Sequence, residues 1–219
     1  LLAMTGCSPS NADSVSRQSR ASIDKELLLE HVRILASDDF QGRRTGSEGG
    51  AMAADYVRNQ MILIGLKAAC NEDLTWPFTF ESGRNQQMVT GSNVIGLIAG
   101  SAESSKVVVV SAHFDHLGVR GEEIFNGADD NASGTAAMLE ISRYFSQNPP
   151  RHSIIFVGFD AEEMGLRGAR AFVGSSCFAE FDVALNINMD MISRSDRSEL
   201  YVSGPLHYPA LRKIGRAHV

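Results

Sequence analysis

Lys106-Val107-Val108-Val109-Val110-Ser111-Ala112-His113 decides the fold. Four consecutive valines offer no polar face to water, so the run reads as a strand buried on both sides, as in a parallel sheet under helices. The same signature returns at 153–159, more weakly at 183–187, and residues 93–98 supply a further strand. Helical periods fill the intervals. Apolar residues at 27, 28, 32, 34 and 35 predict a helix over 23–37 with Asp24 as its N-cap. Met52, Ala53, Tyr56, Val57, Met61 and Ile62 give 47–64 an inner face, and Gly65 fits its end. Further helices are expected over 133–146, closed by Pro149-Pro150, and about 165–174. Residues 38–46 read as a polar loop and 76–80 as a short extended segment. Strands alternating with helices predict an α/β fold: a mixed, largely parallel sheet sandwiched between helices.

Chemistry-bearing residues gather at the strand ends. His113-Phe114-Asp115-His116 follows the valine run, Asp160-Ala161-Glu162-Glu163 follows 153–159, and Asn188-Met189-Asp190 follows 183–187. Active sites of open α/β sheets assemble outside the carboxyl ends of their strands. Between them lies Asn126-Gly127-Ala128-Asp129-Asp130-Asn131-Ala132-Ser133-Gly134, adjacent carboxylates in a turn whose glycines permit unusual backbone and close approach. A carboxylate there can bridge two cations, which implies metals roughly 3.5–4 Å apart, the two-metal hydrolase arrangement. In His113-x-Asp115 one ring nitrogen faces a metal and the other is positioned by a carboxylate, making Asp115 an orienting partner. His116 is read as non-ligating, its side chain engaged in a loop hydrogen bond. Of Glu162 and Glu163, neighbours that cannot both point at one ion, one suits a metal and the other suits a general base. Histidine and carboxylates without thiolates favour catalytic zinc and leave manganese or cobalt open.

The formal net charge of -6 over 219 residues argues against a nucleic-acid partner. No apolar run reaches the roughly 18 residues of a membrane span. The three cysteines, Cys7, Cys70 and Cys177, contain no C-x-x-C pair.

These segments, together with Leu35-Ala36-Ser37-Asp38-Asp39-Phe40-Gln41-Gly42-Arg43-Arg44-Thr45-Gly46 and Met164-Gly165-Leu166-Arg167-Gly168, resemble the M28 family of zinc aminopeptidases over roughly 25–205. The resemblance implies that His113 and Asp190 hold one zinc, Asp130 bridges, Glu163 holds a second zinc, and Glu162 is the general base. It implies peptide substrates with a free N-terminus and a cis peptide between Asp130 and Asn131. The family's fifth ligand is a histidine far beyond the aspartate matching Asp190. His207 and His218 fit no family motif, so the catalytic domain is expected to be incomplete at the C-terminus. Residues 71–92 are too few for the protease-associated domain that some relatives insert there. Two alternatives stand beside this reading: a similar-looking glutaminyl cyclase with a single zinc, and a non-catalytic binding domain.

The chain opens Leu1-Leu2-Ala3-Met4-Thr5-Gly6-Cys7-Ser8-Pro9, similar to the end of a bacterial lipoprotein signal. That predicts lipidation of Cys7, a signal remnant and flexible tether over 1–22 with the polar tether at 8–22, and a place on the periplasmic side, anchored in the outer membrane or secreted. Membrane contact is then expected only through that lipid. Cys70 and Cys177 are left as a possible disulfide pair, permitted by an oxidising compartment, though sequence does not place their sulfurs within reach. The last residues, Ile214-Gly215-Arg216-Ala217-His218-Val219, are similar to one translated frame of a common sequencing adapter. The catalytic domain is therefore expected to run over 23–213, with 214–219 an artefact.

Overall fold

The computed structural model describes residues 22–83, 86–197 and 199–204. Residues 1–21, including Cys7 and nearly all of the expected tether, lie outside the described residues, as do His207, His218 and the expected artefact at 214–219.

Helix α1 (Lys25–Leu35) is capped by Asp24, whose carboxylate accepts from the amides of Glu26 and Leu27 at 3.0 and 3.1 Å. A 3-10 turn (Asp38–Arg43) leads to α2 (Glu48–Ile64), which ends at Gly65 with φ 95°. The strands are β1 (Lys67–Ala68), β2 (Thr75–Ser82), β3 (Gln87–Ile98) and β4 (Lys106–His113). After the hairpin β5 (Gly118–Arg120) and β6 (Glu123–Phe125), an irregular turn (Ala128–Ser133) starts α3 (Gly134–Gln147). Then come β7 (Ser153–Phe159), α4 (Arg167–Val173), α5 (Ser176–Ala179) and β8 (Asp182–Asn188).

The main sheet is mixed, in the order β1-β3-β7-β4-β8, with β2 also on β3. β4 runs parallel to both β7 and β8, while β1, β2 and β7 pair with β3 antiparallel. The valine run behaves as its composition demands. Val110 and Ala112 enter one core with Leu35, Val57, Met61 and Met138 of α1–α3; Val107 and Val109 enter the other with Phe172 and Cys177 of α4 and α5. Helices thus cover both faces of β4, and each fully buried valine contributes roughly 1.5–3 kcal/mol. Cys70 and Cys177 are bonded, Cα atoms 5.3 Å apart, joining the segment after β1 to α5. No helix among the described residues is long and apolar enough to cross a membrane.

Register places the chemistry. His113 at the end of β4 stands beside Phe159, the last residue of β7, and Ser111 stands beside Asn188, the last of β8. Residues just beyond these three ends therefore converge on one edge of the sheet.

Candidate metal centre

Two clusters of donor atoms meet at that edge and share Asp130. One joins His113, Asp130 and Asp190; the other joins His116, Asp130 and Glu163. His113 Nε2 lies 3.3 Å from Asp130 Oδ1 and 3.4 Å from Asp190 Oδ1. Tetrahedral zinc with bonds of about 2.0–2.1 Å separates its ligand atoms by about 3.3–3.4 Å, so this spacing fits such an ion.

The turn carrying Asp130 is built for this position. Gly127 supplies a left-handed backbone at φ 54°, and any side chain at Gly134 would collide with the Met189 carbonyl. The Asp130–Asn131 peptide is cis. The Asn131 side chain donates to Met189 O at 3.0 Å and accepts from the amides of Gly134 and Met191. It thereby fastens the Asp130 turn to the segment carrying Asp190. Thr135 donates to the His113 carbonyl at 2.8 Å.

Asp115 does more than stand beside the His113 ring. His113 Nδ1 bonds the Asp115 backbone carbonyl at 3.1 Å, while its carboxylate is 3.5 Å away. That carboxylate instead accepts from the amides of Glu162 and Glu163 at 2.9 and 3.2 Å. Asp115 thus orients His113 through its main chain and the glutamate pair through its side chain. Burial lowers the affinity of His113 for a proton, but Asp115, then Asp190 and Glu162, outweigh it and hold the ring up at about 9. Surroundings that retain a proton there also attract a cation.

His116 stands beside Glu163 in the second cluster. Its side chain makes no loop hydrogen bond; Nδ1 lies 2.7 Å from Glu163 Oε1 and 3.9 Å from Asp130 Oδ2. Despite that approach, the angles do not make a hydrogen bond, and both Nδ1 and Oε1 are buried without a hydrogen-bond partner. Burial pushes His116 down, against the pull of Asp130, towards the neutral form that binds metals. Two such atoms side by side, neither satisfied, suit ligation of a cation beside them, and their 2.7 Å separation would widen to about the 3.3–3.4 Å of tetrahedral zinc.

Glu162 enters neither cluster. Its carboxyl is pushed up, first by burial, and it feels the charges of His113, Asp115, Glu163 and Asp190.

Sequence reasoning missed the support beneath these loops. Arg43 is fully buried and bonds only carbonyls: Phe114 at 2.7 Å, Asn126 at 2.6 Å, Gly127 at 2.8 Å, and Leu35. Thr45 donates to Asp160 at 2.7 Å and lies 3.4 Å from Asp115. The Asp160 carboxylate also accepts from the amides of Ser92 and Ala161, yet burial, aided by Asp115, pushes it up to about 6. Position inside the motif-like loop 35–46 was the only signal for Arg43 and Thr45.

Known proteins share this fold. The solved structure of a leucine aminopeptidase precursor from Bacteroides thetaiotaomicron superposes with TM-score 0.64 at 19% identity, over 81% of this chain and 65% of that one. A glutaminyl cyclase from the same organism gives 0.65 at 19%, over 80% and 64%. Likeness at this identity speaks for the fold. Aminopeptidase YwaD of Bacillus subtilis is 36% identical over 149 residues, 64% of this chain, which spans only 31% of that relative's length. The model of peptidase family M28 matches residues 93–218, more than half of the chain and the stretch that bears both donor clusters, and the chain belongs to that family.

Proposed function

We propose that this chain carries the catalytic centre of a zinc aminopeptidase that binds two ions and removes N-terminal residues from peptides. One observation carries the reading: two three-residue donor clusters share a single carboxylate, Asp130, beside a glutamate that belongs to neither. His113, Asp130 and Asp190 would hold one ion, and His116, Asp130 and Glu163 the other. Zinc bound there supplies a Lewis acid and makes water acidic enough to attack at neutral pH. Glu162 is then the general base: it accepts the attacking water's proton and returns it to the departing amine. Its backbone amide, fixed by Asp115, holds the side chain in position for both transfers. The names of the B. subtilis relative and the B. thetaiotaomicron precursor support this substrate class.

The equally close likeness to a glutaminyl cyclase supports a second reading, cyclisation with one zinc. Metal counting separates the two. The full-length protein should bind two zinc ions per chain by plasma emission spectroscopy, and release aminoacyl chromophores until a chelator is added. One ion, with no aminoacyl release, favours the cyclase. Glu162→Gln should keep both ions and lower kcat by about 10²-fold or more. Retention of a tenth of the turnover would remove Glu162 from the role.

We further propose, from the sequence of the first nine residues, a lipid-anchored protein on the periplasmic side. Substituting Cys7 by serine and following the protein through membrane fractionation tests it.

A further inference from the structure

A cavity of about 280 Å³ adjoins the second donor cluster, with His116 and Glu163 in its wall. Three arginines from three different segments line it: Arg44 before α2, Arg120 on β5 and Arg167 at the start of α4. Each is exposed, and none forms an ion pair among the described residues. Each is nevertheless held. Arg44 donates to the Leu117 carbonyl at 3.5 Å, Arg120 stands over the Phe125 ring at 5.1 Å, and Arg167 stands over Phe80 at 5.6 Å while donating to Met164 O. A guanidinium held over a ring keeps most of its five donors free. Three oriented cations with free donors, in a chain of net charge -6, form a receptor for planar anions. The larger cleft of about 770 Å³ shares Arg44, Thr45 and Met164 with this cavity, leaving room for the remainder of a peptide.

We propose that the arginine-lined cavity receives a carboxylate of the substrate, so that the enzyme favours peptides with a negative charge close to the scissile bond. The inference rests on the peptidase reading above. The carboxylate has two sources, an acidic side chain in the second residue or the free C-terminus of a dipeptide.

Three substrates sharing a neutral first residue distinguish them: one with glutamate second and an amidated C-terminus, one with glutamine second and amidated, and one with glutamine second and a free C-terminus. On the zinc-loaded full-length protein, kcat/KM for at least one carboxylate-bearing peptide should exceed that for the neutral amide about tenfold or more, the excess shrinking as salt is raised. The favoured peptide names the source. Arg120→Gln and Arg167→Gln should each pull that ratio towards one. Equal hydrolysis of all three overturns the proposal and leaves the peptidase reading intact. A ratio that survives in both variants and in Arg44→Gln also overturns it, and marks the arginines as solvated surface. If no peptide is turned over, the peptidase reading fails. Calorimetric titration of the three peptides into Glu162→Gln still decides the cavity: tighter binding of a carboxylate-bearing peptide supports it, and equal binding overturns it.

Discussion

At the residue scale, the proposed two-ion reading turns on His116. With it, each cluster holds one histidine and two carboxylates, Asp130 counted in both. On that reading, His116→Ala should weaken zinc at one of the two proposed sites by roughly tenfold or more, in the range found when groups that support a metal are removed. Competition with a chromogenic chelator measures this, and unchanged affinity at both sites would confine His116 to packing. Asp160 carries a different signature. Its folded pKa, about 6, lies above the ordinary aspartate value. The folded state therefore binds its proton more tightly than the unfolded state, and the contribution to stability is complete below the unfolded pKa. It is lost as pH rises from about 4 through about 6. Thermal melts of the wild type minus Asp160→Asn should show that difference shifting in favour of the variant across this window. A difference independent of pH would place the titration elsewhere.

At the scale of elements, the 3-10 turn between α1 and α2 acts as a fastener. Its Arg43 draws together the end of α1, the loop after β4 and the turn before Asp130 through four carbonyls. Arg43→Ala leaves those acceptors buried without a donor, at about 1–3 kcal/mol for each that water does not reach. The expected loss is roughly 3 kcal/mol or more of unfolding free energy in urea titrations. Arg43→Lys should recover only part of it, because an ammonium lacks the planar fork. This fastener was hidden in the sequence, where an arginine bonded to carbonyls has no partner residue to betray it. The β4, β7 and β8 strands were legible because the sheet consumes β-branched runs; the candidate carboxylates Asp115, Glu162, Glu163 and Asp190 stood out because they follow those strands directly, and Asp130 by its glycine-flanked turn before α3. β1, β5 and β6 went unseen: strands of two or three residues are too short to show a period. The approach of His116 to Glu163 was not legible, because adjacency to Asp115 in sequence says nothing about which way a loop turns its side chains.

For the molecule as a whole, the two layers on the sheet have separate anchors. The Cys70–Cys177 bond pins α5 and the face built from Phe172, Val157 and Ile95, and shares no residue with either donor cluster. Closing a loop of 107 residues removes unfolded-state entropy worth about 4–5 kcal/mol. Reduction should lower Tm accordingly in scanning calorimetry while zinc affinity at 25 °C holds. A fall in affinity matching the fall in stability would show the two faces to be coupled. Arg43 has the opposite reach: its bonds to Phe114, Asn126 and Gly127 span 71, 83 and 84 residues of chain. Contacts so distant along the chain form only after the intervening loops have closed. The donor groups therefore reach their final places only once segments far apart along the chain have met, those of the sheet included. Metal capture then waits on those meetings, and a chain that has not yet made them holds the right residues without having a site.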